Sequence, residues 1–138
     1  MPAPFPPPGP KSELEEGAIF TPRFDADGLI AAIAVDDASG AVLMLAWMNA
    51  EALRLTIETR VVHYWSRSRG TLWRKGDTSG QQQKVVDIRT DCDQDAVLVR
   101  VAVGGDGGAC HTGRPTCFYR SVVATPAGAR LRFAKDAH

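Results

Sequence analysis

Cysteine is scarce in this chain and its number is odd: three in 138 residues, Cys92, Cys110 and Cys117. An odd set fits poorly with the disulfide framework of a small secreted domain. None of the three stands in C-x-x-C spacing, so reduced thiols and a cytoplasmic location are expected. Net charge is also lacking, with 16 Lys and Arg against 16 Asp and Glu. No bulk field therefore draws in nucleic acid or an acidic membrane, and any anion binding must come from a local cluster. No apolar run approaches the roughly 18 residues that a bilayer-spanning helix needs. The opening MPAPFPPPGPK has no apolar segment of the signal-peptide kind. Internal repeats, a GxGxxG fingerprint and a P-loop are absent as well.

What is present suits one domain. Residues 1–23 read as a proline-rich, disordered tail and lead-in, residues 24–134 as the folded domain, and residues 135–138 as a C-terminal tail. Two apolar runs around Ser39-Gly40, Leu29 to Val35 and Ala41 to Met48, predict a hairpin. Asn49 can cap a helix whose apolar face carries Ala50, Leu53 and Ile57 and which ends near Thr59. Strand character returns at Val61 to Ser66, Gln83 to Thr90, Ala96 to Val103, Phe118 to Ala124 and Arg130 to Phe133. The predicted class is α+β and mainly β: a mixed or antiparallel, barrel-like sheet with one main helix.

Chemistry concentrates between Asp91 and Cys117, DCDQDAVLVRVAVGGDGGACHTGRPTC. Three cysteines are one ligand short of a closed structural zinc site, and three protein ligands plus water is the catalytic pattern. Zinc lowers the pKa of such a water to about 7. His111 competes for the fourth place, but neighbouring side chains of an extended chain point opposite ways. A general base beside the metal suits an imidazole that titrates near neutrality. The competing reading is three buried structural cysteines, against which Cys92 stands between two aspartates.

Asp91, Asp93 and Asp95 are hard oxygen ligands suited to magnesium or calcium. The glycine and glutamate that an EF-hand loop needs are replaced by Ala96 and Ala102, which excludes that motif. On a flat strand the outer pair would stand about 13 Å apart. The segment must therefore bend to serve one ion, or one carboxylate must act through water. A solvated acidic turn is the alternative.

A third cluster is basic. Arg60, Arg67, Arg69, Arg74 and Lys75 occur with no acidic residue among them, interleaved with Tyr64, Trp65 and Trp73. Arginine grips phosphate bidentately, glycines such as Gly76 and Gly80 let backbone N–H groups approach it, and the aromatics can stack on a base. A solvated strand face with core tryptophans is the plainer alternative.

Four ordered blocks together carry a resemblance: AWMNAEAL (46–53), HYWSRSRGTLWRKGDTSG (63–80), DCDQD (91–95) and ACHTGRPTCFY (109–119). From about Asp25 to Val123 the chain resembles the phosphoribosyl-AMP cyclohydrolases of histidine biosynthesis, with Asp77 where that family usually has glutamate. The resemblance implies a cytoplasmic zinc- and magnesium-dependent hydrolase, an intertwined homodimer with its active sites at the subunit interface. It implies zinc bound by Cys92 of one subunit with Cys110 and Cys117 of the other, and magnesium bound by Asp91, Asp93 and Asp95. The implied reaction opens the adenine ring of phosphoribosyl-AMP between N1 and C6 with a zinc-activated water. His111 would relay the proton, and Arg67, Arg69, Trp73, Lys75 and Ser79 would bind the substrate. Neither nucleic acid nor membrane is an implied partner. The rival expectation is a zinc-stabilised, non-catalytic nucleotide- or nucleic-acid-binding module. A zinc nucleoside deaminase ranks last, because the H-x-E…P-C-x-x-C signature is missing.

Overall fold

The computed structural model describes residues 5–76, 80–105 and 107–134. Within them lie two helices and eight strands: α1 Lys11–Glu16, β1 Ile30–Asp36, β2 Val42–Met48, α2 Ala50–Thr59, β3 His63–Ser66, β4 Thr71–Arg74, β5 Gln83–Thr90, β6 Ala96–Val103, β7 Arg120–Thr125 and β8 Gly128–Phe133.

The centre is a four-stranded sheet in the order β2-β1-β6-β5. β1 and β2 form the antiparallel hairpin that the Ser39-Gly40 turn predicts, with Asp36 taking the N–H and hydroxyl of Ser39 on its carboxylate. β1 runs parallel to β6, and β5 returns antiparallel to it, so the sheet is mixed. Alternation on β6 buries Val97, Val99 and Val101 against Ile30, Ala32, Leu53, Val62 and Tyr64.

Helix α2 starts where expected, because the Asn49 side chain accepts the Ala52 N–H at 2.8 Å. It ends at Arg60, which adopts the left-handed φ of 62° that closes many helices. Its buried face is Ala52, Leu53 and Thr56. Thr56 is an internal clamp: its hydroxyl donates to the Ala52 carbonyl at 2.8 Å and accepts the His63 N–H at 2.9 Å. That second bond joins α2 to β3.

Two features depart from the expected architecture. The strands do not close into a barrel among the described residues; they divide into the central sheet and two hairpins, β3-β4 and β7-β8. Among the described residues, an isolated bridge between Val61 and Lys84 is the one strand-type pairing between the β3-β4 region and the central sheet. Short β4 is not predicted, because its sequence, TLWR, reads as part of the basic cluster.

The segment before Phe24 also carries more structure than a lead-in. α1 forms there, and Phe5 packs edge-on against Phe20 at 5.5 Å between ring centroids. Buried Gln94 fastens the same stretch, accepting the Thr21 N–H at 2.8 Å and donating to the Leu14 carbonyl at 3.0 Å.

Candidate active site

The acidic segment does not run flat. Residues 91–95 form a turn in which Gln94 takes a φ of 58°. Asp91 Oδ1 accepts the N–H groups of Asp95 and Ala96 at 3.0 and 3.1 Å, which curls the chain back on itself. One oxygen from each of Asp91, Asp93 and Asp95 comes within 4.8 Å of the others. The bend that a shared ion requires is therefore built into the backbone. Hydrogen bonding to Asp91 and Asp93 pushes the Asp95 carboxyl up to about 6. Burial opposes ionisation of Asp91, but the hydrogen bonds from Asp95, the Ala96 N–H and Asp93 outweigh it and hold this carboxyl below the ordinary range. Such a cage of hard oxygens fits a small divalent cation.

The cysteines divide. Cys110 is buried, Cys117 and Cys92 are exposed, and all three are free thiols. The thiols of Cys110 and Cys117 are near enough to influence each other's ionisation. The Thr112 hydroxyl donates to Cys110 Sγ, at 3.2 Å. Burial works against the Cys110 thiolate, yet hydrogen bonds from Thr112 and Cys117 and the charge of Lys75 bring its pKa below the usual thiol value. Partial desolvation of its sulfur and the neighbouring Cys110 push Cys117 up to about 11. A thiol pair with one member eased toward thiolate is soft-ligand chemistry suited to zinc. Cys92 does not join that pair within one chain: the aspartates are the only group of three or more such ligands that converges within 4.8 Å among the described residues. Cys92 instead lines an open cleft of about 600 Å³ with Leu14, Phe20, Ile57 and Ile88.

His111 follows Cys110 where the chain turns, with the Gly113 N–H on the Cys110 carbonyl at 2.8 Å. The sharp turn that extended geometry lacked is thus present. His111 Nδ1 lies 4.0 Å from Cys110 Sγ, so both side chains face one region.

The basic cluster separates into two parts. Arg67 and Arg69 occupy the β3-β4 turn, where they line a cleft of about 680 Å³ with Trp47, Trp65 and Trp73. The Ser66 hydroxyl accepts from the Arg69 backbone and guanidinium at 3.2 and 3.3 Å, and the Arg67 guanidinium stands 4.8 Å above the Trp47 ring. Lys75 lies elsewhere: it is 8% exposed, and its Nζ donates to the Ala109 carbonyl at 2.6 Å. Burial lowers its pKa below that of an ordinary lysine, with the cysteine pair pulling the other way. Tyr64 belongs to the core and has no open face for a base. It is fully buried, with its hydroxyl on Gln83 Oε1 at 2.6 Å and its ring 5.1 Å from that of Trp73. Trp73 is thus part core support and part cleft wall. Ser79 and Asp77 lie outside the described residues.

Sequence reasoning missed Trp47. It lines the arginine cleft and also a smaller one that contains Arg23 and Asp95. The available signal was its position in β2 beside Met48, since alternation turns one of the two inward and the other out. Met48 is buried.

Comparison with known proteins assigns the chain. The phosphoribosyl-AMP cyclohydrolase family profile matches residues 44–119, more than half its length. A phosphoribosyl-AMP cyclohydrolase of Brucella abortus is 60% identical over 129 residues, covering 94% of this chain and 93% of the relative. Proteins of the same name from Brucella anthropi and from a Chelativorans species are each 63% identical over 117 residues, covering 85% of this chain and 83% and 84% of themselves. The profile spans the thiol pair, the aspartate turn and the arginine hairpin together, and on these matches the chain belongs to the phosphoribosyl-AMP cyclohydrolase family of enzymes.

Proposed function

We propose that this chain hydrolytically opens the adenine ring of phosphoribosyl-AMP between N1 and C6, a step of histidine biosynthesis, as a zinc- and magnesium-dependent homodimer. The observation that carries the reading is 60% identity to a phosphoribosyl-AMP cyclohydrolase across 94% of the chain. The donor chemistry supports the two metals. Cys110 and Cys117 are the soft pair that would hold zinc, and Asp91, Asp93 and Asp95 are the hard cage that would hold magnesium. Zinc, when bound, would lower the pKa of a water to about 7 and so make hydroxide available at neutral pH.

The side chains supply the rest. A purine carrying ribose phosphate on N1 is cationic, which makes its C6 electrophilic. Arg67 and Arg69 would bind the phosphates, for which paired guanidinium groups suit best. Trp47, Trp65 and Trp73 would hold a ring by stacking at the mouth of the same cleft. His111 would take the water's proton at Nδ1, the nitrogen facing Cys110, and pass it to the leaving N1 as the ring opens.

Two observations support the homodimer. Cys92 stands apart from Cys110 and Cys117 within one chain, so a three-thiol site needs a second copy. The β7-β8 hairpin that follows Cys117 bears exposed Val122, Leu131 and Phe133, and among the described residues no other strand or helix packs extensively on it. An apolar face of this kind is what an isologous partner covers.

The test is the absorbance change when purified protein meets phosphoribosyl-AMP. Turnover is expected to vanish with a zinc chelator and return with added zinc. Binding of the nucleotide without ring opening, in zinc-replete protein, would overturn the assignment.

A further inference from the structure

Among the described residues Lys75 is the one buried Lys or Arg. Taking an ammonium out of water is costly unless something compensates it, so its partner is informative. That partner is the carbonyl of Ala109, at 2.6 Å, itself buried and directly before Cys110. The ammonium also lies 5.7 Å from the centre of the Trp73 ring. It is close enough to both Cys110 and Cys117 to interact with them electrostatically.

Among the described residues the cysteine loop is tied both to itself and to its surroundings. The Cys110 N–H donates to the Arg114 carbonyl at 3.0 Å, and the Cys117 N–H donates to Leu43 at 2.7 Å. The Thr116 hydroxyl donates to the Val42 carbonyl at 2.8 Å. Lys75 adds a charged anchor to these. It projects from a fixed corner. Its own N–H is held by the Val62 carbonyl at 3.0 Å. The next residue, Gly76, has a φ of 91° and stands where a Cβ would come within 2.3 Å of the Gln82 nitrogen. The arginine cleft is lined by Arg67 and Arg69 but not by Lys75.

We propose that Lys75 is a positioning residue for the cysteine loop: it fixes the Ala109 carbonyl, and through it Cys110, and places a positive charge beside the two sulfurs. It does not grip the substrate phosphate. This rests on the assignment of Cys110 and Cys117 as zinc ligands. Outer groups that orient ligands in this way typically contribute about 10–100-fold in metal affinity.

Lys75→Met removes donor and charge while keeping the apolar stem, and Lys75→Gln restores a donor without the charge. Zinc affinity is measured on the full chain by competition with a chromophoric chelator. The thiolate-to-metal absorption of the cobalt-substituted protein is recorded beside it, as are kcat and KM for phosphoribosyl-AMP. The expected result for Lys75→Met is about a 10–100-fold loss of zinc affinity, an altered cobalt spectrum and an unchanged KM. Lys75→Gln should recover the wild-type cobalt spectrum and part of the affinity, and it decides the matter by the same measurements if the Met variant fails to fold. A raised KM with unchanged zinc affinity would make Lys75 a phosphate ligand, and no change in either would leave it without a role; both overturn the proposal. Wild-type protein that takes up no zinc would sink the metal assignment itself, whereas equal zinc binding by wild type and variants sinks only the role given to Lys75.

Discussion

The carboxylate of Asp91 accepts the backbone N–H of Asp95 at 3.0 Å, so one residue of the acidic triad sets the position of another. Asp91 thus shapes the turn and, on the proposed function, also supplies an oxygen to the ion, while Asp93, besides its two carboxylate neighbours, meets Arg23 at 3.6 Å in a solvent-exposed ion pair worth little. The two should behave differently on substitution. Asp91→Ala loses two charge-assisted hydrogen bonds and should lower metal-free stability by about 1–3 kcal/mol. Asp93→Asn should leave metal-free stability nearly unchanged. In wild type, magnesium at about 100 times its Kd should add roughly 2.7 kcal/mol, and both variants should lose that gain. Thermal melts with and without magnesium decide it; a full magnesium shift in Asp93→Asn would remove that carboxylate from the ion site.

Thr56 ties α2 to β3 through one hydroxyl, which serves the Ala52 carbonyl and the His63 N–H together. Valine has nearly the same shape but offers no oxygen, so Thr56→Val leaves a buried N–H unpaired. The expected cost is about 1–3 kcal/mol. Thr56→Ser keeps the oxygen and should lose only about 0.8 kcal/mol for the missing methyl. Urea midpoints at constant slope measure both. The reverse order of stability would mean that volume, and not the hydrogen bond, matters at this position.

Much of this architecture is legible in the residues. The Asn49 cap, the alternating valines of β6 and the Ser39-Gly40 turn are local signals, and each acts within a few residues of itself. The aspartate convergence was half legible. Spacing showed that a bend was needed, but the bend depends on Gln94 with a positive φ and on N–H groups folding back to Asp91. Lys75 shows where sequence reading stops. Beside Arg67 and Arg69 it reads as one more cation for phosphate, and only the approach of Ala109, 34 positions along the chain, separates it from them. Gln94 is similar: a polar residue in an acidic run gives no hint that it is buried and fastens residues 14 and 21.

Tyr64 offers a pH test. Burial, with a smaller contribution from Cys117, pushes its phenol well above the ordinary value of 10.0. The folded chain therefore keeps this proton where the unfolded chain releases it. The unfolded state then binds fewer protons, so stability, complete below pH 10, should fall as pH rises beyond it, by about 1.4 kcal/mol per unit. Phenolate absorbance from Tyr64 should appear only with global unfolding. Tyr64→Phe strands Gln83 Oε1 and should cost about 1–3 kcal/mol at neutral pH, but it should also flatten the alkaline slope. Parallel wild-type and variant curves above pH 10 would show that another group governs the alkaline limit.

A zinc site shared between copies makes a prediction that a site within one chain cannot. Cys92→Ser and Cys110→Ser should each abolish turnover alone, since every site in either homodimer lacks one thiol. Co-refolded in equal amounts, half of the dimers should carry one chain of each kind. In such a heterodimer one site loses both Cys92 and Cys110. The other draws Cys92 from the chain with Cys110→Ser and draws Cys110 and Cys117 from the chain with Cys92→Ser, and is intact. About a quarter of all sites should therefore recover, and activity with them. The same mixture should bind zinc tightly at about a quarter of the wild-type stoichiometry. A site assembled within each chain would give no recovery at any mixing ratio, because no chain in the mixture holds all three thiols. The exposed Val122 and Leu131 supply the control: charged substitutions at both should block the recovery by preventing the hairpin from docking on its partner. Recovery that survived those substitutions would mean that the copies meet through another face.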